Sequence, residues 1–184
     1  ALVTGGGGGI GSAICRELAA AGAKIIINYN SNQQKAQATL DSLEGSGHTV
    51  IQGTVTDKAS LDAMATQVAS QYGTLDLLVN NAGVTKPVPH DDLDGLDDET
   101  IDHILQTNVR GSFACVRAFR TLLDGGDGGT VVNISSIAGV TGVGSNVIYC
   151  ASKAAINTMT KSLARALAPR IRVVAVSPGW VWGE

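Results

Sequence analysis

Short β-branched runs alternate with longer stretches whose apolar residues recur three and four positions apart, and this alternation constrains the fold more than any other feature of the chain. The runs cover residues 1–4, 24–29, 49–53, 75–80, 130–134 and 171–176. They are short and mostly apolar, as strands covered on both faces must be. Between them, residues 10–20, 33–43, 60–70, 99–122 and 148–167 carry the helical period. Strand-helix-strand units of this kind feed a parallel sheet, and their crossovers are right-handed. The expected fold is therefore α/β, a doubly wound parallel sheet of the Rossmann type with helices on both faces. In such sheets the ligand crevice lies outside the carboxyl ends of the strands, where strand order reverses.

With 184 residues, 44% of them apolar and 16% charged, the chain is sized for one domain. That domain is expected to span residues 1–184. The chain opens inside a strand and stops after Trp182-Gly183-Glu184, so truncation at both ends is expected. A net charge of −3 gives no general attraction to nucleic acid or to anionic membrane surfaces, which require clustered Lys and Arg. No apolar run reaches the roughly 18 to 20 residues that span a bilayer, and no charged-then-apolar leader opens the chain. Cys15, Cys115 and Cys150 form no CxxC pair and lie in helical stretches, which fits a reducing, cytoplasmic setting.

Thr4 is followed by five consecutive glycines, Gly5 to Gly9, and then by Ile10-Gly11, between the first strand and the first helix. Without Cβ atoms, this backbone can approach a pyrophosphate at the helix N-terminus. A generic G-x-G-x-x-G passes through Gly6, Gly8 and Gly11, and other registers fit as well. At the end of the second strand, where a protein that binds NAD usually shows a carboxylate for the ribose 2′-OH, stand Asn28, Tyr29, Asn30 and Ser31. No carboxylate repels a 2′-phosphate there, and Asn30 and Ser31 can donate to one. NADP(H) is favoured over NAD(H), which stays open.

Tyr149 and Lys153 are four positions apart at the start of a helical stretch, so their side chains leave one face at neighbouring heights. A phenol titrates near 10, too high for efficient proton transfer at neutral pH unless something stabilises the phenolate. An adjacent ammonium does so. Ser136 ends the fifth strand thirteen positions before Tyr149, and the intervening loop can return the helix start to that strand end. A hydroxyl, a phenol and an amine are expected to converge there.

These residues resemble the short-chain dehydrogenase/reductase family in its compact, 3-oxoacyl reductase-like form. The likeness runs along essentially the whole chain: Thr4-Gly5, Gly9 and Gly11; Asn80-Asn81-Ala82-Gly83; Asn108 in Asn108-Val109-Arg110-Gly111; Ser136; Tyr149 and Lys153; and Pro178-Gly179. The resemblance implies an NAD(P)-dependent oxidoreductase acting on a small carbonyl or alcohol substrate by direct hydride transfer. It implies Tyr149 as general acid for reduction and base for oxidation, with Ser136 bonding the substrate oxygen. It implies that Lys153 binds the nicotinamide ribose and lowers the Tyr149 pKa, while Asn108 places a water next to Lys153. Gly5, Gly9, Ile10 and Gly11, Tyr29, Asn30 and Ser31, and Asn81, Ala82 and Gly83 are expected to hold the cofactor, with Pro178, Gly179 and Val181 lining the nicotinamide. No metal is implied. Relatives assemble as homodimers or homotetramers through the two long helices, here 99–122 and 148–167, with Ala151, Ser152, Ala154 and Ala155 allowing close approach.

The chain departs from the family pattern at three places. Thr54 stands where many relatives have Asp against the adenine, Val174 where Asn is frequent before Pro-Gly, and Gly183 where Thr is frequent after it. Relatives that reduce acyl chains on carrier protein tend to show Lys and Arg before the fifth strand, where this chain has Asp124-Gly125-Gly126-Asp127. A ketone or 3-oxoacyl thioester is the leading substrate expectation. A sugar or polyol, or a non-catalytic dinucleotide sensor, is the alternative. His48, His90 and His103 lack ligand spacing and read as solvent-facing or structural. The Asp-rich stretch 91–98 reads as a solvated loop. Trp180 and Trp182 can shape a substrate entrance or simply pack.

Overall fold

The computed structural model describes residues 1–181. Six strands form one parallel sheet: β1 (Leu2–Val3), β2 (Ile26–Tyr29), β3 (Thr49–Gln52), β4 (Leu77–Asn80), β5 (Gly129–Ile134) and β6 (Ile171–Val176). Their order is β3-β2-β1-β4-β5-β6, so the direction of winding reverses between β1 and β4. Alternation of side chains along each strand divides the apolar residues between two cores. Leu2, Ile26, Leu78 and Val131 join one core, and Val3, Ile27, Val79 and Ile134 join the other.

The first core is closed by α3 (Lys58–Tyr72), α5 (Ser112–Leu123) and part of α7 (Val147–Leu167), with Leu61, Met64, Phe119 and Leu123 fully buried. The second is closed by α1 (Gly9–Ala20) and α2 (Gln33–Asp41) through Cys15, Ala19 and Ala36. Burying a side chain such as Phe119 stabilises by roughly 1.5 to 3 kcal/mol. The three cysteines are free and buried, and burial pushes the thiols of Cys15 and Cys115 up to about 12. They are packing groups at neutral pH.

Helix starts follow their capping residues. Asn32, Asp57 and Asn146 accept from main-chain N–H groups at the starts of α2, α3 and α7. Asp97 does the same for α4 (Asp98–Leu105). The Asp-rich loop is thus partly a capping device: Asp92 also accepts from Gly95 N, and Asp97 lies 3.7 Å from Lys86. The helix expected over 99–122 is instead two α-helices joined by a π-helical segment, Gln106–Gly111. A four-residue helix, α6 (Ala138–Thr141), lies in the loop after β5.

Among the described residues no helix is long and apolar enough to cross a membrane. Among them, too, no three His, Cys, Asp or Glu side chains converge to hold a metal ion.

Candidate active site

The reversal between β1 and β4 separates the loops that follow them, and a cleft of about 510 Å³ opens there. Its walls are the glycine loop, Asn28, Asn30, Thr54-Val55-Thr56 and Asn81-Ala82-Gly83-Val84. A second recess of about 200 Å³ continues it under β5, lined by Ser136, Tyr149, Lys153, Pro178 and Gly179. Ile10, Asn81, Gly83 and Val84 belong to both, so nucleotide-sized space leads directly to the hydroxyl, phenol and amine.

The glycine loop fits a dinucleotide. A Cβ at Gly11 would run into the Gly5 carbonyl oxygen and stand 2.6 Å from Asn81 Nδ2, so only glycine lets helix α1 pack this close. Gly9 has φ +51 and open space around it, and its requirement is conformational. Unlike α2, α3, α4 and α7, helix α1 has a glycine, Gly8, at its N-cap and no side-chain cap, which leaves its first N–H groups for an anion. Asn81 braces the loop by donating to the carbonyls of Thr4 and Gly5 at 3.0 and 3.1 Å. Thr4 Oγ1 in turn accepts from Asn81 N and Ala82 N. Buried Asn28 ties the loop to β3, accepting from Gly5 N and donating to Gly53 O.

Helix α7 presents Tyr149 and Lys153. Asn146, fully buried, caps it by accepting from Tyr149 N, and its amide donates to Lys86 O at 2.8 Å. Lys153 is 6% exposed, and Nζ donates to Ile134 O at 2.8 Å and lies 5.6 Å from the centre of the Tyr149 ring. Burial lowers its pKa to about 8. Burial also raises the Tyr149 phenol above its ordinary value, and the Ser136 hydroxyl pulls in the opposite direction. Desolvation is the largest effect on this phenol, and Lys153 is turned to the main chain of β5.

Asn108 is fully buried inside the π-helical segment. Its Oδ1 accepts from Val84 N at 2.8 Å, and its Nδ2 donates to Val84 O and to Ser152 Oγ. Ser152 Oγ donates to Tyr149 O, closing a link from the β4 loop to the first turn of α7. Gly83 lies between Asn108 and Lys153: a Cβ there would be 3.3 Å from Asn108 Oδ1 and 3.8 Å from Lys153 Nζ. π-Helical turns recur at functional sites, and here one carries the carboxamide to this junction.

The expected residues divide into four groups. Gly5, Ile10, Asn30, Asn81, Ala82, Gly83, Ser136, Tyr149, Lys153, Pro178 and Gly179 line the cleft, and Gly11 and Asn108 stand directly behind it. Val181 lies on the other side of Pro178, beside Gly9 and the outer face of α1. Tyr29 and Ser31 do not line the cleft; half-buried Tyr29 packs against the core under α1 and α2. Thr54 does line it, with its hydroxyl bonded to Thr56. Val174 is half-exposed on β6, and Trp182 and Gly183 lie outside the described residues.

His48 and His90 are structural, bonding Ile25 N with Glu44 O, and Gly144 O. His103 lines the nucleotide end of the cleft beside Thr107. Ser152, expected on the outer face of its helix, is fully buried against Asn108, whereas Ala151 and Ala154 are exposed. Asn146 was legible as an N-cap three residues before Tyr149 N–H. Ser152 carried no such signal.

Residues 1–183 match the family described as short chain dehydrogenase. The chain is 37% identical to the 3-oxoacyl-(acyl-carrier-protein) reductase FabG of Staphylococcus aureus, over 98% of this chain and 74% of that protein. It is 39% identical to the short-chain dehydrogenase/reductase FrzI of a Cladobotryum species, over 97% of this chain and 69% of that one. A crystal structure of a short chain dehydrogenase from Burkholderia cenocepacia J2315 in complex with NADP superimposes with a TM-score of 0.89 at 37% identity. That match covers 100% of this chain and 74% of the other.

Proposed function

Because the chain belongs to the short-chain dehydrogenase family of NAD(P)-dependent oxidoreductases acting on carbonyl and hydroxyl groups, we propose that it reduces a ketone or 3-oxoacyl thioester with NADPH, or oxidises the corresponding alcohol. The observation that carries this reading is the convergence of Ser136, Tyr149 and Lys153 on a recess continuous with the glycine-loop cleft.

The bound dinucleotide supplies the hydride. The glycine loop and the N–H groups of α1 would hold its phosphates, Asn30 would stand on the side of the ribose that carries the 2′-phosphate in NADP, and Pro178 and Gly179 would line the nicotinamide end. No carboxylate stands at Asn28-Tyr29-Asn30-Ser31 to repel a 2′-phosphate, which favours NADP(H). The NADP in the Burkholderia cenocepacia structure supports the same preference.

Ser136 donates to the substrate oxygen and fixes the carbonyl for hydride arrival. A phenol held above its ordinary value is protonated at neutral pH, the state required of Tyr149 to deliver a proton to the oxygen as carbonyl becomes alcohol. Lys153, titrating at about 8, is mostly charged at neutral pH and provides the positive potential that favours release of this proton. Asn108 and Ser152 hold the β4 loop and the first turn of α7 in register. Assembly as a homodimer or homotetramer through α5 and α7 belongs to the same proposal; Phe113 is 44% exposed on α5 and is stacked by Arg117.

The test is the initial rate of NADPH and of NADH oxidation with an acetoacetyl thioester. NADPH oxidation dependent on the thioester supports the reductase and its cofactor, and a preference for NADH overturns the cofactor assignment.

A further inference from the structure

The π-helical segment Gln106–Gly111 reaches both ends of the cleft. Buried Thr107 lines the nucleotide end, and the next residue, Asn108, bonds Val84 and Ser152 at the junction beside the reacting groups. The segment closes on Gly111, which is buried and has φ −61 and ψ −46. Any residue adopts that conformation. Glycine is a poorer helix former than alanine, so its presence here calls for a packing reason. A Cβ at position 111 would stand 2.8 Å from Val55 Cγ2 and 3.3 Å from Val55 Cβ. Carbons at optimal separation lie about 3.5 to 4.0 Å apart.

Val55 lines the nucleotide end of the cleft between Thr54 and Thr56 and is 7% exposed. It has little room to retreat. Its side chain is β-branched and belongs to the core formed with Leu61 and Met64. The neighbouring Thr54 N donates at 2.9 Å to Ser60 Oγ, in the first turn of α3. The segment is held as well: Ser112 O accepts from buried Asn80 Nδ2, and Ser112 Oγ donates to Asn108 O at 2.8 Å. A methyl group at position 111 is therefore taken up by displacing the Val55 wall, the segment, or both.

We infer that Gly111 is a positioning residue. By leaving space for Val55 it seats the wall of the nucleotide end on the segment that carries Asn108, so that one rigid contact sets both the nucleotide end and the junction beside Tyr149. The packing stands by itself; its effect on turnover rests on the reading above, that the cleft holds NADPH and Tyr149 transfers the proton.

Gly111→Ala, Val55→Ala and the double variant are compared with the native protein. The first readout needs no ligand: hydrogen exchange at the Val84 amide, which donates to Asn108 Oδ1, taken relative to the Thr49 amide at the far edge of the sheet. Gly111→Ala is expected to speed this relative exchange by about tenfold, as overpacking by one methyl group implies. In the Val55→Ala background, where the space is restored, the same substitution is expected to change it by about twofold or less. The Kd for NADPH is expected to follow the same pattern, weakened about tenfold by Gly111→Ala in the native background and about twofold or less in the Val55→Ala background. At saturating NADPH, kcat is expected to fall in Gly111→Ala and to recover in the double variant.

Faster exchange or weaker NADPH binding that persists in the double variant overturns the inference, and so does a Gly111→Ala variant with native exchange and affinity. Weaker NADPH binding with the Val84 amide unchanged also overturns it, because the two ends then move separately. If Gly111→Ala does not fold, the double variant is expected to fold, and its failure to do so overturns the inference. A native protein that binds neither NADPH nor NADH overturns the cofactor reading instead, and the exchange comparison then decides the packing alone.

Discussion

Lys153 Nζ donates to the Ile134 carbonyl across 2.8 Å, so the first turns of α7 are tied to the end of the strand that leads to Ser136. The contact holds a cation in a site where burial lowers its pKa from 10.5 to about 8. The folded state therefore binds the Lys153 proton less tightly than the unfolded chain does, and between pH 8 and 10.5 the unfolded state carries more protons. Stability attributable to this group rises with pH through that window, and the full cost is present below it.

Lys153→Met removes the charge. The variant is predicted to be more stable relative to the native protein at pH 7 than at pH 10, with the difference shifting by up to about 3 kcal/mol. Urea denaturation of both proteins across this range checks it. A difference independent of pH contradicts the assignment.

Ser152→Ala removes the hydroxyl between Asn108 Nδ2 and Tyr149 O. Asn108 keeps its bonds to Val84, so the expected loss of stability is modest, about 1 to 2 kcal/mol. The expected effect on kcat is larger than that on the Kd for NADPH, because the displaced element is the turn that carries Tyr149. Ser152→Thr retains the hydroxyl and is predicted to recover part of the lost kcat. Equal effects on both constants would assign Ser152 to packing alone.

Gly9 and Gly11 separate conformation from contact. Gly11→Ala places a methyl group against the Gly5 carbonyl and Asn81 and is predicted to abolish NADPH binding. Gly9→Ala meets nothing within 4 Å but must adopt φ +51, at a cost of about 1 kcal/mol. Titration of NADPH fluorescence distinguishes the two variants, and comparable losses contradict the geometry.

The sheet was readable in the sequence because buried parallel strands leave uninterrupted apolar runs, as in Leu77–Asn80 and Ile171–Val176. Tyr149, Lys153 and Ser136 were readable because helical spacing and loop length bring them together. The π-helical segment was not, since the apolar period runs through residues 106–111 without a break. What marks the segment in the fold is tertiary: Asn108 bonds Val84 and Ser152, elements distant in sequence. The end of β2 fixes which residues stand near the cleft but not which of them face it. Asn30 lines the cleft, and half-buried Tyr29 packs against the core.

Exposed Phe113 on α5 and exposed Ala151 and Ala154 on α7 lead to the prediction that the protein sediments as a dimer or tetramer. Ala154→Arg, introduced at an exposed position, is expected to shift it toward monomer with secondary structure retained. A native protein that sediments as a monomer contradicts the oligomer proposal.

The most direct test of the central claim follows the hydride itself. With an acetoacetyl thioester and NADPH carrying deuterium on either face of nicotinamide C4, one of the two labelled forms is predicted to place one deuterium on the carbinol carbon of the product. Tyr149→Phe is predicted to lower this turnover by at least about 10²-fold with NADPH still bound. A product without deuterium from either form, or a Tyr149→Phe variant with native turnover, contradicts hydride transfer assisted by Tyr149.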